Sequence, residues 1–333
     1  MTTATLSTPK SAPKSRWSPT FVNVGAFLLL FVLIVISISV GVADFSWAKL
    51  FDDTDNSSQL FLVSRLPRTL ALILTGASMA IAGMMMQVVL KNRFVEPSMV
   101  GATQSAVLGI LLTSLYMPTL PLLGKMSMAT VMAFGGMMIF MQIIKRLPPT
   151  DFLIIPLVGI VFGGIIDSFT LFLAYQTETV QMLSVWRFGD FSSVLAGRYE
   201  TLWLVGILSA IAYIMADRLT IIGLGDGIAK NLGVNKDAVM WLAIGMVAMI
   251  SAVVVVTVGA ISFVGLVVPN IVSRLVGDRL RVSLPAVALL GASCVLLCDI
   301  IGRVIRYPFE IPVYVVFGVL GSALFLWLLS KSK

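Results

Sequence analysis

Residues 21–42 read FVNVGAFLLLFVLIVISISVGV, a run that contains no charged side chain. A helix that crosses a bilayer needs about 20 predominantly apolar residues, whereas the core of a signal peptide has only about 7 to 15. The run therefore predicts an uncleaved membrane span, although Gly41-Val42-Ala43 is a weak cleavage-like site.

Nine similar stretches follow, each separated from the next by charged residues or by Pro and Gly clusters. The chain is thus predicted to be an all-α integral membrane protein of about ten transmembrane helices. The predicted spans are 21–43, 68–90, 98–116, 126–145, 152–174, 200–216, 238–258, 261–276, 283–301 and 312–330.

The composition supports lipid as the solvent of this chain. Of the 333 residues, 58% are hydrophobic and 12% are charged, with a mean hydropathy of +1.01, against about 25% charged residues in a soluble domain. Residues 21–330 are assigned to one transmembrane domain, which leaves no room for a soluble catalytic domain. Residues 1–20, rich in Ser, Thr, Pro and Lys, are predicted to form a disordered cytoplasmic tail.

The basic residues predict the orientation. With the N-terminus inside, about two thirds of the 23 Lys and Arg residues fall in cytoplasmic segments, as the positive-inside rule requires. We therefore expect both termini in the cytoplasm. The net charge of +7 is spread over short loops, which argues against a nucleic-acid partner.

Arginines mark the predicted outer side. Arg65-Leu66-Pro67-Arg68 lies just before the second span, and Arg303 and Arg306 follow the ninth. Such guanidiniums form forked pairs with carboxylates of a partner, or alternatively anchor the helices at the interface. Asp299 lies four residues before Arg303, the favourable order for a helical ion pair.

The longest predicted cytoplasmic connection is 217–237. Within it, Asp226 is expected to cap a short helix that ends at Gly233, with Ile228, Ala229 and Leu232 on one side. That apolar side predicts a partner surface; packing on the chain's own bundle is the alternative.

Other features point to the interior of the bundle. Spans seven and eight are separated by almost nothing, at Thr257-Val258-Gly259-Ala260, and Pro269 lies within span eight. Such short, broken helices indicate a nearby transport pathway; a helix kink used for packing is the alternative. Asp167 is an ionisable group inside the fifth span, near mid-membrane, that either faces such a pathway or has a polar packing role. The glycines of spans two and five, Gly76 and Gly159 among them, are interpreted as close helix contacts.

The chain has no histidine, and its two cysteines, Cys294 and Cys298, cannot complete a metal site. They are interpreted as small buried residues, and no metal or cofactor is expected. No phosphate-binding loop of the Gly-x-x-x-x-Gly-Lys-Ser/Thr type occurs, so the chain itself is not an ATPase.

Several motifs occur in order over about residues 60–330, at 65–70, 92–101, 224–233, 259–269, 299–303 and 310–313. This set resembles the FecCD-type permeases of binding-protein-dependent iron–siderophore and cobalamin importers. Three sites depart from the family's usual pattern: Asn270 replaces a frequent histidine, Pro-Val-Tyr at 312–314 replaces Pro-Val-Gly, and Arg93-Phe94 replaces Pro-Leu.

The resemblance implies a type II ABC importer permease in the bacterial cytoplasmic membrane. It works as a dimer, with a paralogue favoured over a second copy, on two ATPase subunits and below an extracytoplasmic binding protein. Arg65, Arg68 and Arg303 would pair with glutamates of that protein. The coupling residues in the ATPase groove would be Leu224, Gly225, Asp226, Ile228, Ala229, Leu232 and Gly233.

The substrate implied by the resemblance is a ferric siderophore of catecholate or mixed type, which keeps its Fe(III) wrapped. Haem or cobalamin import by the same mechanism is the alternative. A proton-coupled secondary transporter is a further one, but it would need a chain of buried titratable groups. An intramembrane enzyme would need a nucleophile–base or metal constellation, and the sequence shows none.

Overall fold

The computed structural model describes residues 17–41, 57–147 and 153–330, and these residues are almost entirely helical. Of the predicted tail, residues 1–16 lie outside the described residues. The first helix begins at Pro19, which is within the predicted tail of residues 1–20. The helices are α1 Pro19–Ser39, α2 Leu66–Val89, α3 Ala102–Tyr116, α4 Leu122–Lys145, α5 Ile154–Gln176, α6 Val180–Arg187, α7 Trp203–Ile214, α8 Ala216–Gly223, α9 Asp226–Asn231, α10 Lys236–Val258, α11 Val264–Val276, α12 Leu280–Ile305 and α13 Val313–Ser330.

A turn of helix, Ser57–Leu60, and a π-helical turn, Phe61–Arg65, lead directly into α2. Together they form an apolar helix over Ser58–Val89. Pro67 therefore lies inside a continuous helix, directly after the π-helical turn, where its missing N–H leaves one helical hydrogen bond unformed.

Each predicted span contains one helix of the structure, but the helices differ in length. Among the described residues, six helices are long and apolar enough to cross a membrane, or seven if α7 and α8, bent by 60°, count as one span. The apolar helices α3, α11 and α13 are shorter. The number of ten spans therefore stays a prediction.

Close glycine contacts hold the centre of the bundle, as the sequence predicted for span two. A Cβ added to Gly76 would lie 2.5 Å from the carbonyl oxygen of Gly291 in α12, and one added to Gly83 would lie 2.0 Å from that of Gly265 in α11. Side chains at these positions would separate the helices, so α2 is buried between α11 and α12 by backbone-to-backbone packing. In span five, Gly159 likewise abuts the carbonyl of Met99, whereas Gly164 faces open space.

The break between α10 and α11 is real, and its backbone is irregular. Helix α10 ends at Val258, Gly259 has φ of +88°, and α11 begins after Phe263, whose φ is +71°. Pro269 lies inside α11 without ending it. The side chain of Gln87 in α2 donates to the carbonyl of Gly265 at 3.3 Å, which places the start of α11 beside α2.

Two ends of the bundle can be told apart by their contacts. Arg303 lies near the end of α12, and we call this the arginine end. Leu280, at the other end of α12, donates its N–H to Thr220 of α8 at 3.3 Å; this is the short-helix end, because α8 leads into α9. About 35 Å of helix separate the two ends.

Candidate functional site

Two arginines bind the end of α1 at the arginine end. Arg303 donates to the carbonyls of Ser37 at 2.9 Å and Val40 at 2.7 Å, and to the hydroxyl of Ser37 at 2.7 Å. Arg65 donates to the carbonyls of Ile38 and, at 3.0 Å, Ser39. The last carbonyls of a helix have no partner within it and carry partial negative charge, so the two guanidiniums satisfy them and complement the helix dipole.

Two carboxylates complete this cluster. Asp299, 1% exposed, pairs with Arg303 at 2.6 Å and with Arg68 at 2.7 Å, and Glu310 pairs with Arg68 at 2.8 Å. The predicted helical pair between Asp299 and Arg303 is confirmed. Three guanidiniums against two carboxylates leave a surplus of one positive charge. A cavity of about 100 Å³ opens beside them, lined by Val40, Gly41, Leu60, Ser64, Arg65, Arg68, Arg303 and Glu310.

The arginines differ in how far they face outward. Arg65 and Arg303 are each 6% exposed, and the side chain of Arg68 is 15% exposed. The sequence predicted that all three would meet carboxylates of a partner. In this chain Arg68 and Arg303 already bind its own carboxylates, and Arg65 binds its own backbone. Their docking role stays a prediction.

At the short-helix end, three exposed apolar side chains lie in and next to α9, and we call them the apolar stripe. Ile228 lies within α9, Leu224 precedes it and Leu232 follows it, and they are 45%, 62% and 60% exposed. The predicted stop is confirmed, since Gly233 has φ of +69° and donates to Lys230 at 3.1 Å.

Two details of the predicted short helix are wrong. Gly225, with φ of +120°, occupies the position before the first helical residue, so Asp226 begins the helix instead of capping it. A positive φ is accessible to glycine at little cost, which explains why Gly225 and not Asp226 occupies the position before the helix. Ala229 is 1% exposed and packs inward, away from Ile228 and Leu232.

Charged contacts fix the surroundings of α9. Arg281 of α12 pairs with Asp217 of α8 at 2.7 Å, and Arg93 pairs with Asp278 at 2.6 Å. A cavity of about 320 Å³ lies beside Leu224 and is also lined by Gln87, Lys91, Arg93, Thr220 and Pro269. Lys91, Arg93 and Arg281 thus lie at the short-helix end.

The irregular backbone after α10 lies between two cavities. The larger, about 460 Å³, is lined by residues 255–259 together with Trp186, Phe188, Asp190, Arg198 and Tyr314 among others. The smaller, about 170 Å³, is lined by Ser98, Thr103, Gln104, Val107, Asp167, Arg187, Phe188, Ala260 and Ser262. The predicted link between the break and internal space is consistent with this arrangement.

Asp167 lies in the smaller cavity, where Arg187 pairs with it at 3.3 Å. The sequence singled out Asp167 but missed Arg187, which lies in a segment without a membrane pattern. A carboxylate at membrane depth needs a cation nearby, and this requirement was the only available signal.

Glu96 is a further residue that sequence reasoning missed. Its buried carboxylate accepts hydrogen bonds from the N–H of Phe263 at 2.8 Å and from the hydroxyl of Ser98 at 2.6 Å. Burial raises its pKa above the usual value, and these hydrogen bonds oppose the shift. The carboxylate sits at the start of α11 and stabilises the helix there.

Cys294 and Cys298 are free thiols on α12. Within residues 17–41, 57–147 and 153–330, no group of three or more His, Cys, Asp or Glu residues is placed to hold a metal ion.

Comparisons with known proteins identify the architecture. The model of the FecCD transport family matches residues 29–331. The petrobactin import system permease protein YclN of Bacillus subtilis (strain 168) is 42% identical over 92% of this chain and 97% of its own. The ferric-anguibactin transport system permease protein FatD of Vibrio anguillarum (strain ATCC 68554 / 775) is 38% identical, over 91% and 97%.

A solved structure shares the fold. It is an inward-facing metal-chelate type ABC transporter, with a TM-score of 0.77 and 27% identity over 94% of this chain and 100% of that one. The family match and these relatives cover the same helices that carry the arginine cluster, α9 and the two cavities. The chain belongs to the FecCD transport family and is a multi-pass permease of the cytoplasmic membrane.

Proposed function

We propose that this chain is the membrane-spanning permease subunit of an ATP-driven importer that carries a ferric siderophore, of catecholate or mixed type, into the cytoplasm. The observation that carries the proposal is the likeness to siderophore permeases over nearly the whole length of both chains. The two cavities along the break after α10 supply internal space for such a substrate.

In this proposal the bundle has ten spans, with both termini and the short-helix end in the cytoplasm. The shorter helices α3, α11 and α13 span together with their neighbours, because irregular backbone at membrane depth is tolerated where protein or a cavity surrounds it. A second permease, a paralogue by preference, covers the exposed apolar face of α5 and closes the path.

The stripe of Leu224, Ile228 and Leu232 is the proposed contact with an ATPase subunit. These three apolar side chains, in and next to a short helix, are less stable facing water than they would be in a partner's apolar groove. Changing all three to Ser should release the ATPase on purification and abolish uptake, whereas the exposed Lys230→Ser on the same helix should change neither. Co-purification of the triple variant at the wild-type ratio would remove this contact from the proposal.

The arginine end is the proposed docking surface for the binding protein. Arg68 is the most accessible of the three guanidiniums, and its second partner, Glu310, is 27% exposed. A carboxylate of the binding protein would therefore replace Glu310 at Arg68, attracted by the surplus positive charge. Arg65 and Arg303, which are more buried, would stabilise the cluster around Arg68 from inside the bundle.

The test is uptake of ⁵⁵Fe by cells that lack the gene and receive it back with its neighbouring transport genes. We expect import of a ferric catecholate that stops when ATP is depleted and survives collapse of the proton gradient. Import that stops when only the proton gradient is collapsed would show a secondary transporter. Import of labelled haem or cobalamin in place of the ferric chelate would overturn the substrate class and leave the importer intact.

A further inference from the structure

The larger cavity has an aromatic wall. The rings of Phe188 and Tyr314 stack with centroids 4.7 Å apart and planes inclined by 19°. Both line the cavity together with Trp186. Phe188 is 45% exposed, so much of its side chain is left uncovered by the described part of its own chain.

The backbone holds this wall in place. Ala260 donates to the carbonyl of Trp186 at 3.0 Å, Gly189 to that of Ala260 at 3.0 Å, and Asp190 to that of Val258 at 2.9 Å. Tyr314 donates to the carbonyl of Gly189 at 3.4 Å. A Cβ on Gly259 would lie 2.8 Å from the carbonyl oxygen of Phe188. The glycines let the two segments pair closely, so the rings are positioned before any ligand arrives.

The cavity carries one charged side chain of each sign. Arg198 and Asp190 both line it, and the carboxylate of Asp190 accepts from the N–H of Ser192 at 2.9 Å and from its hydroxyl at 2.7 Å, so Arg198 is the group available to an anionic oxygen. A volume of about 460 Å³ lies within the ordinary range for small-molecule sites.

A polar chamber lies on the other side of Phe188. Phe188 lines both cavities, and in the smaller one the buried oxygens Thr103 Oγ1 and Gln104 Oε1 have no hydrogen-bond partner among the described residues. Phe188 is thus shared by an aromatic cavity and a chamber with polar lining residues.

We propose that Phe188 and Tyr314 form a binding platform for an aryl ring of an anionic ferric chelate, and that Phe188 divides this platform from the polar chamber beyond it. The platform rests on the proposed importer function and adds a chemical selection to it. Aryl rings stack on aromatic side chains with a gain beyond area burial, and Arg198 attracts the anionic donor oxygens. Aliphatic chelates gain nothing from the stack.

Binding to the assembled transporter in lipid nanodiscs tests this directly. The probes are the ferric complex of 2,3-dihydroxybenzoate and ferric citrate, and the readout is quenching of tryptophan fluorescence, assigned to Trp186 with Trp186→Phe. We expect Phe188→Leu and Tyr314→Leu each to weaken the aryl complex about tenfold, with Tyr314→Phe unchanged. Phe31→Leu and Tyr116→Leu, exposed aromatics that line neither cavity, serve as matched controls.

The outcomes separate the platform from the importer function. Equal affinity of the Leu variants and the wild type for the aryl complex would overturn the platform, as would an equal loss for ferric citrate. ATP-dependent uptake of ⁵⁵Fe by the wild type, measured in the same preparation, would then still support the importer. Absence of both binding and uptake of every ferric chelate in the wild type would overturn the platform and the proposed function together.

Discussion

Replacing Arg303 by Gln separates an internal role from a docking role. The change removes a 2.6 Å ion pair with Asp299 and the hydrogen bonds to Ser37 and Val40 at the end of α1. Breaking a buried pair costs about 3–5 kcal/mol. Because Asp299 keeps Arg68 at 2.7 Å, we expect the lower figure, about 3 kcal/mol. At about 2 °C per kcal/mol in a chain of this size, the melting temperature should fall by about 6 °C.

The assay is thermal unfolding of the purified permease in detergent, beside uptake normalised to the amount in the membrane. Arg303→Lys keeps a charge for Asp299 but lacks a second nitrogen, so it cannot hold Asp299 through one nitrogen and the carbonyls of Ser37 and Val40 through the other. Its melting temperature should therefore fall between those of Arg303→Gln and the wild type. Arg306→Gln, at an exposed arginine near the ring of Phe309, should melt like the wild type. Lost uptake with an unchanged melting temperature in Arg303→Gln would refute the internal role and support docking by this residue.

Three further predictions test other parts of the bundle. Gly83→Ala should destabilise by about 1–3 kcal/mol, because its Cβ would lie 2.0 Å from the carbonyl of Gly265. Gly135→Ala in α4, where an added Cβ meets nothing within 4 Å, should be neutral or stabilising; melting curves compare the two variants. Asp167→Asn and Arg187→Gln should each lower uptake. The loss in the double variant should be smaller than the sum of the two single losses, with an interaction of about 1 kcal/mol in a double-mutant cycle of uptake rates. Strictly additive losses would argue against a functional pair. The raised pKa of Glu96 means that the folded state holds its proton more tightly, so stability falls as pH rises from the usual value of 4.5 through the folded pKa. Glu96→Gln should remove this pH-dependent loss of stability, so the difference in melting temperature between variant and wild type should widen as pH rises. A difference that does not widen with pH would contradict the prediction.

Much of the helical fold could be predicted because apolar length and Pro or Gly interruptions are local signals. The break at Gly259 and the stop at Gly233 were both visible, since each needs a backbone conformation that glycine supplies. The pair of Asp299 and Arg303 was also local, being four residues apart on one helix. The glycine contacts of α2 followed from the density of small residues.

The direction in which the arginines point was not predictable. Arg65 and Arg303 bind carbonyls of α1 that lie 26 and 266 residues away in the sequence, and any nearby donor could satisfy a helix end. Phe188 likewise gave no signal, because its position depends on pairing between residues 186–190 and 258–260. An exposed apolar ring in a loop has no periodicity to mark it.

The irregular backbone after α10 connects these separate features. Its N–H and carbonyl groups at 258–260 bind those of residues 186–190, and the N–H of Phe263 binds Glu96. An unsatisfied backbone group in a bilayer costs several kcal/mol, so such a segment persists only where partners are supplied. The partners come from the loops at 96 and 186–190, and the same loops bring Ser98, Arg187 and Phe188 to the cavities. The interactions that make the break stable are therefore the ones that build the two compartments, and a change that straightens the break would abolish both.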